Sequence, residues 1–187
     1  MLDLFYIIDN IFLSNLFNAN NINLIRSKNI NIIIRLSKNH NNSIYDDSVI
    51  FYNFEIEDNF LYKKKIIEYS KLIYKIILEN PNKKILIHCN EGQSRSVSVI
   101  IYYLCMKYNY NYDQAYNYIK NIKSDIRPNN AFSFELKKLF DPIYINKYKH
   151  DSKCPNLEPM QYNIMNEYND KFDEEQYKKD CLTLLLS

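Results

Sequence analysis

Residues 85–100 read ILIHCNEGQSRSVSVI and include Gly92, the single glycine of a 187-residue chain. A chain of this length carries about a dozen glycines at average usage. The apolar residues before His88 predict a short buried strand, and the residues after Ser94 predict a helix. Gly92 therefore lies in a tight turn between a strand and a helix, where a positive φ favours a residue without a Cβ atom.

A turn of this kind is suited to binding an anion. The N–H groups of the turn and of the first helical turn have no backbone partners, and the positive end of the helix dipole lies at the same place. We therefore expect a phosphate-binding loop built from Asn90, Glu91, Gly92, Gln93, Ser94 and Arg95.

Three side chains of this stretch could carry chemistry. Cys89 lies at the base of the turn, where the helix N-terminus and a nearby cation favour a thiolate. Arg95 presents a planar fork that can hold two phosphate oxygens, and Ser96 can donate a hydrogen bond to the sulfur. A single cysteine after an apolar strand is usually part of the core, and Cys105 fits that simpler interpretation. The combination of Cys89, Gly92, Arg95 and Ser96 favours a nucleophilic site instead.

Strand and helix patterns alternate along the rest of the chain. This alternation predicts an α/β fold with a central, largely parallel sheet of four or five strands, flanked by helices and followed by a C-terminal helical cluster. The predicted strands are 10–13, 30–36, 49–56 and 85–87, and the predicted helices are 22–28, 60–79, 97–108, 112–122 and 131–140, with a polar loop over 39–47.

The composition limits the other classes. Apolar residues make up 47% of the chain and charged residues 25%, which is enough for a core. A net charge of +2 gives no strong field for nucleic acid or membranes, and the apolar start of the chain is interrupted by Asp3 and Asp9, unlike a signal peptide or a membrane span. Four cysteines without paired spacing indicate a reducing compartment, the cytoplasm or nucleus, and no metal site. The excess of Asn, Ile, Lys and Tyr indicates an A/T-rich genome, such as that of a protist or a large DNA virus.

The chain divides into two parts by its pattern. Residues 1–144 are predicted to form the catalytic domain, and residues 145–187 a partly irregular tail. A terminal helix is predicted over 174–186.

The stretch HCNEGQSRS, beginning at His88, resembles the signature loop of cysteine-dependent protein phosphatases, and most of all the dual-specificity (VH1-like) group. The resemblance covers roughly residues 9–141 and includes Asp9 to Asn15 and the Pro128-Asn129 stretch with Phe132. It implies that His88 and Asn129 support the loop. Two positions depart from the pattern, since Ser14 stands where a glycine is usual and Glu91 where a small residue is common.

A general acid for phosphate ester cleavage is expected across the pocket from the cysteine. A right-handed crossover through helix 60–79 brings the ends of strands 49–56 and 85–87 to the same sheet edge, where α/β sheets bind ligands. Asp58 follows the first of these strands and also matches the acid of the family that the chain resembles. Its competitors in the sequence are Glu57, Asp46 and Asp47.

The resemblance implies a metal- and cofactor-free phosphatase that acts on phosphotyrosine and on phosphoserine or phosphothreonine in phosphoproteins, through a phosphocysteine intermediate. Three alternatives stay open at this point. Two are an RNA 5′-phosphatase and a phosphoinositide phosphatase on the same fold, and the third is a catalytically inactive phosphoprotein-binding module. Lys63 to Lys65 form the one dense basic cluster near the acid, which does not favour nucleic acid. The sequence does not indicate an oligomeric state.

Overall fold

The computed structural model describes residues 4–38 and 48–141. Its strands are β1 (Phe5–Ile8), β2 (Ile11–Ser14), β3 (Ile32–Leu36), β4 (Ile50–Phe54) and β5 (Ile85–His88). They form a five-stranded sheet in the order β1-β2-β5-β3-β4, in which β1 is antiparallel and the other neighbours are parallel. The predicted α/β fold with a largely parallel sheet is therefore confirmed.

Six helices accompany the sheet in this part of the chain. They are α1 (Leu16–Ala19), α2 (Ile22–Ser27), α3 (Lys63–Glu79), α4 (Arg95–Tyr108), α5 (Tyr112–Ile122) and α6 (Asn130–Phe140), with a 3-10 turn at Phe60–Tyr62 before α3. Asparagine caps the N-termini of α1, α2, α5 and α6, so the residue that the composition favours serves a structural role. No helix in residues 4–38 and 48–141 has the length and apolarity needed to cross a bilayer.

The central strands bury both faces because successive side chains point to opposite sides of a strand. Ile32, Ile34, Ile85 and Ile87 pack in the larger core, which also holds the buried residues of α3 to α6. Ile33 and Leu86, at the intervening positions, pack with Ala19 and Ile25 of α1 and α2 in a smaller core. This arrangement explains why β3 and β5 appear in the sequence as uninterrupted apolar runs.

Two elements were not predicted, β1 and α1. Strand β1 pairs antiparallel with β2 through a hairpin whose turn residues, Asp9 and Asn10, have φ values of 50° and 64°. The Asp9 carboxylate accepts hydrogen bonds from the hydroxyls of Tyr103 and Tyr108, which attach the hairpin to α4. Four residues are too few to show a strand or a helix period, and a tertiary contact from α4 holds this hairpin in place.

Other boundaries shift slightly. Strand β4 ends at Phe54, before the predicted 56. Helix α4 begins at Arg95, directly after Ser94 as the turn predicted, so the apolar stretch 97–108 is the later part of one helix. The predicted loop 39–47, the predicted boundary at 144 and the predicted tail with its helix 174–186 lie outside the described residues.

The connection from β4 to β5 positions the site. It runs through α3 and crosses β3, because β5 lies between β2 and β3 while β4 lies at the edge. Since β4 and β5 point the same way, the segments that follow them, with Asp58 and Cys89, both leave the carboxyl edge of the sheet.

The turn after β5 is shaped by Gly92, which has a φ of +66°. A Cβ atom at this position would lie 2.5 Å from the carbonyl oxygen and 2.7 Å from the carbonyl carbon of Ser14. Glycine is therefore required twice, by the left-handed conformation and by the contact with the end of β2.

His88, the last residue of β5, is fully buried. Its Nδ1 atom lies 3.4 Å from the carbonyl oxygen of Cys89, while Nε2 has no hydrogen-bond partner among the described residues. Burial lowers the pKa of His88 to about 4, and the charges of Arg35 and Arg95 act in the same direction. The imidazole is therefore neutral at physiological pH.

We expect Gly92→Ala to lower the free energy of unfolding by about 2 kcal/mol or more, from the strained φ and the displaced Ser14 backbone together. Asn29→Ala is the matched control, since Asn29 also has a positive φ of 54°. In this control the free energy of unfolding should fall by about 1 kcal/mol, since only the positive φ is unfavourable for alanine there. Urea unfolding of both variants measures the difference. Equal losses would show that the contact with Ser14 contributes nothing.

We expect the protein to lose stability between pH 6.5 and pH 4. In this window the unfolded chain protonates His88 while the folded chain does not, so stability falls as the pH falls, by up to about 3 kcal/mol for this group. Urea unfolding across this window measures the slope for the natural chain and for His88→Gln, which does not titrate. An unchanged slope in His88→Gln would contradict the assignment.

Candidate active site

Cys89 lies at the base of the loop between β5 and α4. Only 1% of its surface is exposed, and its Sγ atom is 3.2 Å from Oγ of Ser96 in the first turn of α4. The structure thus brings together a thiol, a hydroxyl and a helix N-terminus. The other described cysteine, Cys105, is buried within α4, where burial raises the pKa of its thiol, as expected for a core residue.

The carbonyl groups of the loop face outward. The carbonyl oxygen of Asn90 accepts a hydrogen bond from Leu16 N at 2.9 Å, and that of Gln93 accepts one from Arg127 N at 2.8 Å. The carbonyl of Ser94 accepts the first hydrogen bond of α4, from Ser98 N at 2.8 Å. Within the described chain, no hydrogen bond is donated by the backbone N–H groups of residues 90–95. These N–H groups therefore remain available to an anion above Cys89.

Arg95 is buried beside this loop, with 8% of its surface exposed. Its Nη1 atom donates to the carbonyl oxygen of Ile56 at 3.1 Å, while its Nε atom has no hydrogen-bond partner in residues 4–38 and 48–141. A buried donor on a charged group is costly to leave unpaired. The guanidinium is therefore placed to bind an anionic ligand.

Asp58, in the segment after β4, is hydrogen-bonded to the loop. Its Oδ1 atom accepts hydrogen bonds from Ser94 Oγ and from Asn129 Nδ2, both at 2.8 Å. The backbone N–H of Asn129 donates in turn to Ser94 Oγ at 3.0 Å. One network therefore connects the segment after β4, the phosphate loop and the N-terminus of α6.

Glu57, the neighbouring candidate for the general acid, makes different contacts. Its carboxylate forms an ion pair with Lys38 at 2.7 Å and accepts a hydrogen bond from Asn59 at 2.8 Å. The bond from Lys38 holds the pKa of Glu57 below its usual range. The other two competitors, Asp46 and Asp47, lie outside the described residues.

Sequence reasoning missed several residues that hold the loop. Ser37, which follows β3, donates from its hydroxyl to Oδ1 of Asn90 at 2.9 Å. Gln93 donates from its amide to Asp125 at 3.0 Å, and Asp125 pairs with the buried Lys123. Ser37 could have been found, because a polar residue at the carboxyl end of a strand next to β5 has to lie near this loop. Nothing local indicates Asp125, since its contact spans 32 residues.

The remaining predicted loop residue, Glu91, is exposed. No group of three His, Cys, Asp or Glu side chains in the described ranges is arranged to hold a metal ion.

Comparisons with known proteins agree on one family. The family model "Dual specificity phosphatase, catalytic domain" matches residues 11–141. Human protein phosphatase Slingshot homolog 2 is 26% identical over 147 residues, which are 78% of this chain and 10% of the relative. "Putative tyrosine phosphatase 123R" of Invertebrate iridescent virus 6 is 31% identical over 132 residues, which are 70% of this chain and 87% of the relative. The chain thus spans about a tenth of the length of Slingshot homolog 2 and most of the viral relative.

The fold also resembles that of a solved structure. The crystal structure of DUSP15 superposes with a TM-score of 0.65 at 17% identity, covering 78% of this chain and 92% of that chain. Since the family model extends from β2 to the end of α6 and the viral relative is matched over most of its length, this chain belongs to the family of dual-specificity phosphatase catalytic domains.

Proposed function

We propose that the whole chain hydrolyses phosphotyrosine and phosphoserine or phosphothreonine in phosphoproteins, through a phosphocysteine intermediate. The observation that carries this proposal is the unpaired Nε of buried Arg95 beside a loop whose carbonyls at Asn90, Gln93 and Ser94 are bonded to other segments. Such a loop binds a tetrahedral anion directly above the sulfur. Family membership supports the same reaction.

In the first step, the Cys89 thiolate attacks phosphorus in line with the leaving oxygen. An S–P bond forms and the P–O bond to the substrate side chain breaks. The loop N–H groups and Arg95 hold the three equatorial oxygens, whose charge they stabilise in the transition state.

Asp58 supplies the proton that the leaving oxygen needs. Ser94 and Asn129 fix the position of its carboxyl group through their two 2.8 Å bonds to Oδ1. In the second step the ionised Asp58 takes a proton from water, the water oxygen bonds to phosphorus, and the S–P bond breaks. Ser96 donates its hydrogen bond to the departing thiolate from 3.2 Å.

Glu57 is a poor donor for this role. A general acid has to carry a proton at the start of the reaction, and the pairing of Glu57 with Lys38 favours the ionised form. Its carboxylate therefore holds Lys38 and Asn59 in place, and Asp58 remains the acid that we propose.

The length of the chain before the acid supports activity on more than one phosphoresidue. Between Ser14 and Asp58, residues 16–36 and 50–54 are largely committed to α1, α2, β3 and β4. Apart from residues 37–49, this leaves no stretch for a long loop that would deepen the pocket for phosphotyrosine alone. A shallow pocket also admits phosphoserine and phosphothreonine, whose phosphorus lies closer to the substrate backbone.

No observation favours the alternatives. A catalytically inactive binding module has no use for Cys89, Arg95 and Asp58 together. An RNA or phosphoinositide phosphatase needs a basic groove beside its pocket. The lysines near Asp58 form an ordinary solvated helix face instead, since Lys63 and Lys64 are exposed on the first turn of α3. Lys65 lies over the ring of Tyr69, 5.2 Å from its centroid. We further propose that the protein acts in the cytoplasm or nucleus, which suits an enzyme that needs a reduced thiol.

We expect Cys89→Ser to reduce turnover of an aryl phosphate, a phosphotyrosine peptide and a phosphothreonine peptide to less than a few per cent of the natural rate, since serine is a much weaker nucleophile. Cys105→Ala is the control, because it removes the other described buried thiol away from the loop. It should keep turnover while both variants remain folded by circular dichroism.

Loss of turnover in both variants, or in neither, would contradict the phosphocysteine mechanism. No turnover of phosphothreonine by the natural chain would contradict the dual specificity.

We expect Asp58→Asn to slow hydrolysis by about 10²- to 10³-fold, the usual contribution of a general acid. The loss should be largest for phosphothreonine, whose alkoxide leaving group needs a proton most. Measuring kcat for both peptides with Asp58→Asn and with Glu57→Gln compares the two carboxylates. A larger loss in Glu57→Gln would assign the acid to Glu57.

A further inference from the structure

The most exposed large apolar side chains of the described residues lie at the carboxyl edge of the sheet. Phe17, Leu61 and Phe60 have 74%, 73% and 68% of their surface exposed, ahead of every other large apolar side chain in residues 4–38 and 48–141. A single exposed apolar residue on a surface needs no explanation. Phe17 follows β2, next to β5, while Phe60 and Leu61 follow β4, the second strand from β5 on the other side, and exposed apolar groups beside a binding loop indicate a contact surface.

Both groups are attached to the phosphate loop. Phe17 lies on α1, whose first residue, Leu16, donates its N–H to the carbonyl of Asn90. Phe60 and Leu61 follow Asp58, which is bonded to Ser94 on the other side of the loop. In the strand order β2-β5-β3-β4, Phe17 belongs to the β2 side and the Phe60–Leu61 pair to the β4 side. The loop therefore lies between two apolar walls.

The spacing of the walls fits an extended peptide. Neighbouring strands are about 4.8 Å apart, so β2 lies about 5 Å and β4 about 10 Å from β5. An extended chain rises about 3.3 Å per residue. A peptide whose phosphoresidue enters the loop therefore reaches one wall within about two residues and the other within about three.

We propose that Phe17 on one side, and Phe60 with Leu61 on the other, select substrates that carry an apolar side chain on each side of the phosphoresidue. This inference rests on the proposed phosphatase function and names the substrate class of the same site. On one side, α1 carries no charged residue. On the other side, Lys38 and Glu57 neutralise each other in an ion pair at 2.7 Å, and the exposed Lys63 and Lys64 on the first turn of α3 are the charges that remain.

The test measures binding separately from turnover. Four phosphotyrosine peptides carry leucine or serine at the second and third positions on each side, in all combinations of the two flanks. Their dissociation constants are measured by fluorescence anisotropy with the full chain as Cys89→Ser, which leaves the bound peptide intact. The same measurement is made after adding Phe17→Ser, the pair Phe60→Ser and Leu61→Ser, or Leu78→Ser. Leu78 is the control, since it is 45% exposed but lies near the end of α3 at the opposite edge of the sheet.

Each apolar flank should tighten binding by about tenfold, the usual contribution of a small apolar group in a pocket. Phe17→Ser should remove the preference for one flank and the Phe60–Leu61 substitutions the preference for the other. Leu78→Ser should remove neither. Equal affinities for all four peptides, or preferences that survive the substitutions at both walls, would overturn the proposal.

The same measurements distinguish a peptide from two other partners that the apolar walls could bind. Tighter binding of a 5′-phosphorylated RNA oligonucleotide than of any peptide, lost in Phe17→Ser, would assign the walls to nucleic acid and overturn the proposal. A change of sedimentation coefficient on substitution of the walls, without a change in peptide affinity, would assign them to a second copy of the chain and also overturn it. Turnover of an aryl phosphate by the natural chain tests the phosphatase function independently of both.

Discussion

The carbonyl groups of Asn90, Gln93 and Ser94 are held by backbone hydrogen bonds, and the rest of the site depends on this constraint. Leu16, Arg127 and Ser98 donate the three backbone bonds that hold them. A short loop whose carbonyls are fixed outward leaves its N–H groups on the inner side, where their partial charges add to the helix dipole. In the proposed reaction, the anion site is therefore made by backbone geometry, and the Cys89 side chain contributes the nucleophile.

This constraint also explains the distribution of glycine. The loop passes close to the end of β2, where Leu16 donates to the carbonyl of Asn90 and the backbone of Ser14 leaves no room for a Cβ atom at residue 92. Elsewhere in the described residues, positive φ is adopted by Asp9 and by three asparagines, Asn10, Asn29 and Asn109. Asparagine tolerates this conformation when its side chain has space. Position 92 combines a positive φ with a backbone contact, and the one glycine of the chain is found there.

Asp58, the proposed acid, and the loop form one hydrogen-bonded assembly. Asp58 is bonded to Ser94 and Asn129, and Arg95 is bonded to the carbonyl of Ile56, two residues before the acid. These bonds join segments that are 36 to 71 residues apart in the chain. Asp58 is therefore positioned by the loop and by Asn129, the N-cap residue of α6, together. The apolar walls at Phe17 and Phe60 are attached to the same assembly, which connects the proposed selection of substrate with the proposed chemistry.

The sequence by itself determined the central strands, the long helices and the identity of the loop. Apolar runs such as 32–34 and 85–87 have only one stable place in a soluble α/β domain, between two helical layers. The spacing of Cys89, Gly92, Arg95 and Ser96 is local, so it could be recognised without coordinates. The position of Asp58 followed from the crossover rule, although its catalytic role stays a prediction. Only the tertiary structure decided the β1 hairpin, the contacts of Ser37 and Asp125 and the state of Glu57. Each of these depends on a partner far away in the chain, such as Tyr103 for Asp9 or Lys38 for Glu57, and no local pattern specifies which distant side chain a polar group will meet.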